Sequence, residues 1–389
     1  MNFYVQHGYG KAQKIQSLAS RGQTTGVILS PGDEDPASLR ATAEFCRAAG
    51  LRILIDPQTY VYSTNPEGSP RNHPSHNLDM KKLSWAQNAE SVTRHISAIQ
   101  SLNSAINPDG TWIAPSALQG TFTDVWTPLS IQFARTASDA WGPDRTMVTL
   151  AIDEAALSDW PRIEDWLDVA TTLDVRGFYI VVSRPATTYP SIPWAPARLA
   201  NLLRLIHTLG TLNDFEVIWG YADVEGMLGL AAGASGVAAG WSYTLRQFSA
   251  LKWQSPPGGG KPATVRFHVP RLWALLRAET EAEVLLHCEM RDRIFTPDEM
   301  ASLTSRPAAS ITRPEAQEQH LMVLAARATA LSELATQQER LETVQSSLGL
   351  AQGLFQGIRE LGLLTEPRYQ ARVESLTEAL ELFRRAENV

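Results

Sequence analysis

Eight short apolar runs recur along roughly the first 250 residues of the chain, and most of them are followed by a helical pattern. The runs are Phe3–His7, Gly26–Ser30, Arg52–Asp56, Thr111–Pro115, Met147–Asp153, Gly177–Ser183, Glu216–Gly220 and Gly236–Trp241. Strands that alternate with helices are typical of a parallel sheet covered by helices. Eight such units predict a (β/α)8 TIM-like barrel, a fold whose functional residues lie where the strands end.

The chain is longer than one barrel. A barrel needs roughly 250 residues, and this chain has 389. The sequence predicts a barrel over residues 1–254, a linker rich in Pro and Gly over 255–262, and an α-helical extension over 263–389. Apolar residues at three- and four-residue spacing predict that the extension ends in a helical hairpin. They are Leu341, Val344, Leu348, Val373, Leu376, Leu380 and Phe383.

Composition argues against a nucleic-acid-binding, a membrane-spanning or a disulfide-rich protein. The net charge is −7, and Lys and Arg form no cluster of the kind that a general nucleic-acid grip needs. Local patches of Arg mean that composition does not exclude nucleic acid as a partner. No apolar run approaches the ~20 residues of a membrane helix, and the first residues pass directly into a strand pattern without a leader. Cys46 and Cys288 lie too far apart in sequence to indicate a disulfide framework. We expect a cytoplasmic protein.

Carboxylates follow two of the predicted strands. Asp56 ends the third run, and Asp153 and Glu154 end the fifth. Adjacent residues of a strand point to opposite sides, so at most one of Asp153 and Glu154 faces the barrel axis. Two carboxylates facing one cavity are suited to general acid/base chemistry, or to a nucleophile paired with an acid in glycosyl transfer. The sequence therefore predicts catalysis by Asp56 together with Asp153 or Glu154.

Polar and aromatic residues at the other strand ends are candidates for substrate binding. Long loops at 57–80, 116–128 and 184–196 follow strands and favour a pocket at that face. Aromatic rings there can stack on a sugar or a nucleobase, and arginines can hold an anionic group. The predicted substrate-binding residues are His7, Tyr60, Arg184, Tyr221, Trp241, Tyr243 and Arg246. Asp35 and Asp223 are instead interpreted as helix caps.

The sequence disfavours metal and cofactor chemistry. His7, His73, His76 and Asp79 are the residues that could supply metal ligands, but the later strands end without histidine. None of the lysines ends a strand, which argues against a Schiff base; they are Lys11, Lys14, Lys81, Lys82, Lys252 and Lys261. Dinucleotide-binding and nucleophile-elbow motifs are missing from the sequence. We expect neither a metal nor a cofactor.

Two functions from different classes remain. The first is a metal-independent enzyme of hydrolase or glycosyltransferase type that acts on a glycosidic or nucleoside-like small molecule. The second is a barrel without strong catalysis that serves as a structural or interaction subunit, with a protein partner or a second copy bound through the C-terminal helices. The mouth of the barrel distinguishes the two, because a scaffold is expected to fill it with apolar side chains or with a partner.

Overall fold

A computed structural model describes residues 1–11, 13–64, 70–79, 89–185, 189–253, 264–305, 307 and 310–389. The strands are β1 (Asn2–Gln6), β2 (Gly26–Leu29), β3 (Arg52–Ile55), β4 (Trp112–Ile113), β5 (Leu118–Gln119), β6 (Thr146–Asp153), β7 (Gly177–Ser183), β8 (Glu216–Gly220), β9 (Gly236–Ala239), β10 (Arg266–Val269) and β11 (Ala274–Arg277). The helices are α1 (Lys14–Ser20), α2 (Pro36–Ala48), α3 (Ala89–Ile106), α4 (Trp126–Trp141), α5 (Trp160–Ala170), α6 (Pro196–His207), α7 (Gly226–Ala232), α8 (Glu283–Leu286), α9 (Arg291–Ile294), α10 (Pro297–Thr304), α11 (Arg313–Ser332), α12 (Gln337–Glu360) and α13 (Pro367–Glu387).

The first nine strands form a nearly closed parallel barrel, which confirms the predicted fold class. Backbone ladders join them in the order β3, β2, β1, β9, β8, β7, β6, β4. The short strands β4 and β5 share the fourth position, because β4 pairs with the beginning of β6 and β5 with its end. Strands β3 and β4 lie side by side without a ladder among the described residues. The strands are buried along nearly their whole length, as expected when helices cover the sheet.

The region after the barrel is only partly as predicted. Helices α12 and α13 pack against each other, and their predicted apolar residues are buried. However, an antiparallel hairpin of β10 and β11 precedes the helices, where the sequence analysis expected a helical region. The alternation of Val265, Phe267 and Val269 favours a strand, and Trp273 closes the hairpin turn with a left-handed φ of 53°.

Helix α11 occupies the place of an eighth barrel helix. It packs against α1, α7 and β1, so it fills the position that a helix directly after β9 would otherwise take. The predicted linker at 255–262 lies outside the described residues, and the proposed domain boundaries stay a prediction. In the described part of the chain, no helix combines the length and apolar character needed to cross a membrane.

The tight packing of β7 against β8 gives a test of the barrel register. A Cβ at Gly177 would overlap the carbonyl oxygen of Glu216 in β8, so we expect Gly177→Ala to lower the free energy of unfolding by about 3 kcal/mol. Gly349 lies in α12 with open space around it, and Gly349→Ala should raise the stability by up to about 1 kcal/mol through helix propensity. Urea unfolding of both variants checks the pair. If both variants changed the free energy of unfolding by the same amount and in the same direction, the register of β7 against β8 would be contradicted.

Candidate functional site

A buried carboxylate lies at the C-terminal mouth of the barrel. Asp56 directly follows β3 and is fully buried. Its Oδ2 atom accepts hydrogen bonds from the hydroxyls of Tyr60 at 2.8 Å, Tyr179 at 3.1 Å and Tyr221 at 3.3 Å. Its Oδ1 atom accepts a hydrogen bond from the backbone N–H of Gln58 at 3.0 Å. Among the described residues, no cation lies within ion-pair distance of this carboxyl group. We call Asp56, Gln58, Tyr60, Tyr179 and Tyr221 the Asp56 cluster.

The fold brings the Asp56 cluster together from three strands. Tyr60 lies in the short 3-10 turn Thr59–Ser63 after β3, Tyr179 in the middle of β7, and Tyr221 directly after β8. The side chain of Gln58 links the cluster to β2, because its Nε2 donates to the hydroxyl of Tyr221 at 3.0 Å and its Oε1 accepts from Ser30 Oγ at 2.9 Å. Polar side chains therefore fill the mouth, where a purely structural barrel is expected to place branched apolar ones.

Burial controls the ionisation of Asp56. It raises the pKa of this carboxyl group from 3.8 to about 6, although the hydrogen bonds from Tyr60, Gln58, Tyr179 and Tyr221 act in the opposite direction. Burial also holds the pKa values of the three phenols well above 10, so they stay protonated and can donate. The carboxyl group therefore changes its charge close to neutral pH, which is the range suited to a general acid or base.

The cluster also accommodates the protonated carboxyl group. Tyr179 has one hydroxyl hydrogen and two acceptors, because Oε1 of Gln6 lies 3.3 Å from it and Oδ2 of Asp56 3.1 Å. When Asp56 is protonated, its O–H can donate to the Tyr179 oxygen while Tyr179 donates to Gln6. Both protonation states of Asp56 thus find hydrogen-bond partners without any movement of the backbone.

Two members of the Asp56 cluster have a strained backbone. Gln58 has a φ of 52° and Tyr221 a φ of 54°. Long and bulky side chains rarely adopt this left-handed conformation, and each instance costs of order 1–3 kcal/mol. Such strain is maintained only where the surroundings fix it, and it concentrates at functional sites. Here the two strained residues hydrogen-bond to each other and to Asp56.

A small cavity borders the Asp56 cluster at Tyr221 and at the neighbouring ring of Phe248. The ring of Phe248 packs edge to face on Tyr60, with the centroids 5.1 Å apart, and lies 5.5 Å from the ring of Tyr221. A cavity of about 20 Å³, room for one water molecule, lies between the loops that follow β7, β8 and β9. Four of the predicted substrate-binding residues line it: Arg184, Tyr221, Tyr243 and Arg246.

The second predicted carboxylate lies apart from Asp56. Asp153 caps the turn after β6 by accepting a hydrogen bond from the backbone of Ala155. Glu154 is buried and pairs with Arg184 Nε at 2.7 Å and with Arg198 at 3.8 Å. Neither carboxylate shares a hydrogen bond with the Asp56 cluster in the part of the chain that the structure describes. The structure thus brings together Asp56, Tyr60 and Tyr221 but not the predicted pair of carboxylates.

The remaining predicted residues lie on the β1 and β2 side of the mouth. His7 accepts a hydrogen bond at Nδ1 from the backbone of Ser30 at 3.2 Å, and its Nε2 lies 3.4 Å from Glu34. Burial alone would raise the pKa of Glu34, but His7 and Lys11 lower it to about 2. The indole of Trp241 donates to the carbonyl of Tyr9 at 3.0 Å. Trp241 also lines an open groove of about 390 Å³, to which Tyr9, Asp33 and Arg313 contribute.

The histidines of the long third loop have other partners. His73 is buried, and its Nδ1 lies 3.0 Å from the hydroxyl of Tyr62. The Nε2 atom of His76 lies 2.8 Å from the backbone carbonyl of Glu34. Over the described ranges, no group of three or more His, Cys, Asp or Glu side chains is arranged to hold a metal ion. The expectation that the protein uses no cofactor stays a prediction.

One prediction about a carboxylate is wrong. Asp35 caps α2, as predicted, by accepting hydrogen bonds from the backbone of Ala37 and Ser38. Asp223, by contrast, forms a buried ion pair with Arg372 of α13 at 3.0 Å, and α7, the helix that follows it, begins without a side-chain cap. The sequence analysis also missed Gln58 and Tyr179. Gln58 lies two residues after Asp56, which is a usable signal, whereas Tyr179 lies inside a continuous apolar run.

Comparison with known proteins adds no functional information. No model of a known protein family matches the chain, and no curated protein sequence matches it. A barrel fold on its own transfers no activity, because many unrelated reactions use it. The chemistry of the Asp56 cluster is therefore the basis for a functional proposal.

The raised pKa of Asp56 predicts how stability changes with pH. The folded state binds this proton more tightly than the unfolded state, so the carboxyl group favours folding below about pH 4, and that contribution is lost as the pH rises through about 6. Two pH units correspond to about 3 kcal/mol. We expect the unfolding free energy of the wild type minus that of Asp56→Asn to fall by about this amount between about pH 4 and pH 7.

Urea titrations at several pH values measure this difference, with Glu216→Gln as the control. Arg52 and Arg176, which stay charged, hold the pKa of Glu216 below its usual value, so its contribution is present above about pH 4.5 and should stay constant between about pH 5 and pH 7. If the difference in unfolding free energy between the wild type and Asp56→Asn did not change with pH over this range, the pKa of Asp56 would not be raised.

Proposed function

We propose that the chain is a barrel enzyme in which Asp56 is the reacting carboxyl group, acting on a glycosidic or nucleoside-like small molecule. The observation that carries the proposal is a carboxyl group with no ion-pair partner among the described residues, with a pKa of about 6, held by three tyrosines at the end of the barrel where this fold performs chemistry. The strain at Gln58 and Tyr221 supports it.

A single carboxyl group is sufficient for hydrolysis when it acts first as the general acid and then as the general base. Protonated Asp56 gives its proton to the leaving oxygen or nitrogen as the bond to the anomeric carbon breaks. A water molecule then adds to that carbon and returns a proton to the Asp56 carboxylate, so the atoms and charges balance. A pKa of about 6 keeps both forms accessible near neutral pH. The hydroxyls of Tyr60, Tyr179 and Tyr221 stabilise the carboxylate between the two steps.

The substrate would approach Asp56 past Phe248. The cavity beside this ring is lined by Tyr243, Arg184 and Arg246, which offer an aromatic face and cationic groups. Arg184 is held in place by Glu154, so Glu154 has a positioning role in this proposal. Because the cavity has a volume of only about 20 Å³, Phe248 must move aside for a sugar ring to reach the carboxyl group.

A structural or interaction subunit is the second candidate. The observation that favours it is the closed mouth, since Asp56 has no solvent-exposed surface. Leu361 and Leu364, in the connection between α12 and α13, are exposed, and they would suit a protein partner or self-association. The polar content of the Asp56 cluster opposes this candidate, because a scaffold gains nothing from burying a carboxyl group without a cation.

An activity screen with matched variants tests the proposal. The purified protein is incubated with a panel of glycosides and nucleosides, and the release of sugar or free base is measured by mass spectrometry. We expect Asp56→Asn to lower kcat by a factor of about 10²–10⁴, because the proton transfer is lost. Asp144→Asn, the same substitution at an exposed residue of the opposite barrel end, should keep full activity.

Two results would contradict the proposed enzyme. Unchanged turnover in Asp56→Asn would remove Asp56 from the reaction. Absence of turnover on the whole panel, together with a stable oligomer in light scattering, would favour the structural subunit.

A further inference from the structure

A buried network of charges joins the C-terminal helices to the loop after β8. Arg372 of α13 is almost fully buried and donates to Asp223 at 3.0 Å and to Glu225 at 2.9 and 2.5 Å. The two carboxylates hold the pKa of Arg372 well above its usual value against the effect of burial, so this side chain stays charged. One guanidinium group thus bridges two carboxylates of a single short loop.

Two histidines complete the network from the other side. His320 of α11 lies with Nε2 3.1 Å from Oδ1 of Asp223, and its Nδ1 is 2.9 Å from Nδ1 of His268 in β10. Burial lowers the pKa values of both imidazoles, which favours their neutral forms. One Nδ1–H can then donate to the other Nδ1, while Nε2 of His320 faces Oδ1 of Asp223 without an aligned hydrogen bond. Asp223 therefore contacts two separate parts of the C-terminal region.

The loop that this network holds also carries Tyr221. Asp223 comes two residues after Tyr221, and the intervening Ala222 donates its N–H to the carbonyl of Ala238 in β9 at 2.8 Å. Tyr221 itself has the strained φ of 54° and places its hydroxyl 3.3 Å from Asp56. A strained conformation persists only where the surrounding contacts fix it. On the C-terminal side of Tyr221, the nearest charged contact is the pair of Asp223 with Arg372.

We propose that Arg372 is a positioning residue for the Asp56 cluster, holding the loop after β8 so that the Tyr221 hydroxyl stays on the Asp56 carboxyl group. This inference rests on the proposed function and gives the C-terminal region a part in the site. Arg372 does not touch Asp56, and it acts through Asp223, Glu225 and the backbone of Tyr221. Without the bridge, the left-handed backbone of Tyr221 relaxes and its hydroxyl leaves the carboxylate.

The experiment measures the ionisation midpoint of Asp56 in Arg372→Met. The midpoint comes from the pH dependence of the unfolding free energy of each protein minus that of the same protein carrying Asp56→Asn. Loss of a hydrogen bond to the charged form raises a carboxyl pKa. We therefore expect the midpoint to move upward by about half a unit to one unit.

Arg204→Met is the matched control. Arg204 of α6 pairs with Glu387 of α13 at 2.6 Å, so this variant also removes an ion pair between the barrel and the same helix, but away from Tyr221. It should leave the midpoint of Asp56 unchanged. A purely structural role of Arg372 would lower stability in both variants and shift the midpoint in neither, and that result would overturn the proposal.

A milder variant covers the case in which Arg372→Met does not fold. Arg372→Lys keeps the charge but cannot bridge Asp223 and Glu225 through a planar fork. We expect a smaller upward shift of the midpoint, and a midpoint equal to that of the wild type would then overturn the proposal. The readout uses no substrate, so it stands apart from the activity screen. A shifted midpoint without turnover on any compound of the panel would keep the positioning role and count against a glycosidic or nucleoside-like substrate.

Discussion

The arrangement of the barrel mouth depends on the burial of the Asp56 carboxyl group. An isolated carboxylate away from water is costly, so it is either neutralised or surrounded by donors. Here both responses operate, with a pKa raised to about 6 and four donors on the two oxygens. The positions of Tyr179 in β7 and Tyr221 after β8 follow from this need, because their hydroxyls must reach one oxygen from the far side of the barrel.

The barrel mouth and the C-terminal region are physically connected. Breaking a buried ion pair leaves an uncompensated charge, so partners such as Arg372 and Asp223 depend strongly on each other. Helix α11 fills the place of the eighth barrel helix, and α13 contributes Arg372 to the loop after β8. Helices α11 and α13 therefore pack as part of the barrel. These contacts argue against a C-terminal region that only docks to a partner.

The sequence predicted the fold and some residues of the candidate site, for a clear physical reason. Buried parallel strands are short and continuously apolar, and the eight runs reveal them without any knowledge of contacts. Asp56 was found because it is the first polar residue after such a run. Tyr179 could not be found, because its ring belongs to the apolar pattern while its hydroxyl alone reaches the site. Arg372 was also missed, since it lies in a helix about 150 residues after Asp223 and no local pattern connects the two.

Buried carboxylates of this barrel are stabilised in two opposite ways, by cations or by neutral donors. At the N-terminal end, Glu216 pairs with Arg52 and Arg176, and these cations lower its pKa despite burial. At the C-terminal end, Asp56 has phenols in place of cations, and its pKa rises. Glu154 and Asp223, also at the C-terminal end, pair with arginines as Glu216 does, so Asp56 differs from these neighbours. Phenol donors leave the proton of Asp56 available near neutral pH, which is what acid/base chemistry requires and what a structural ion pair prevents.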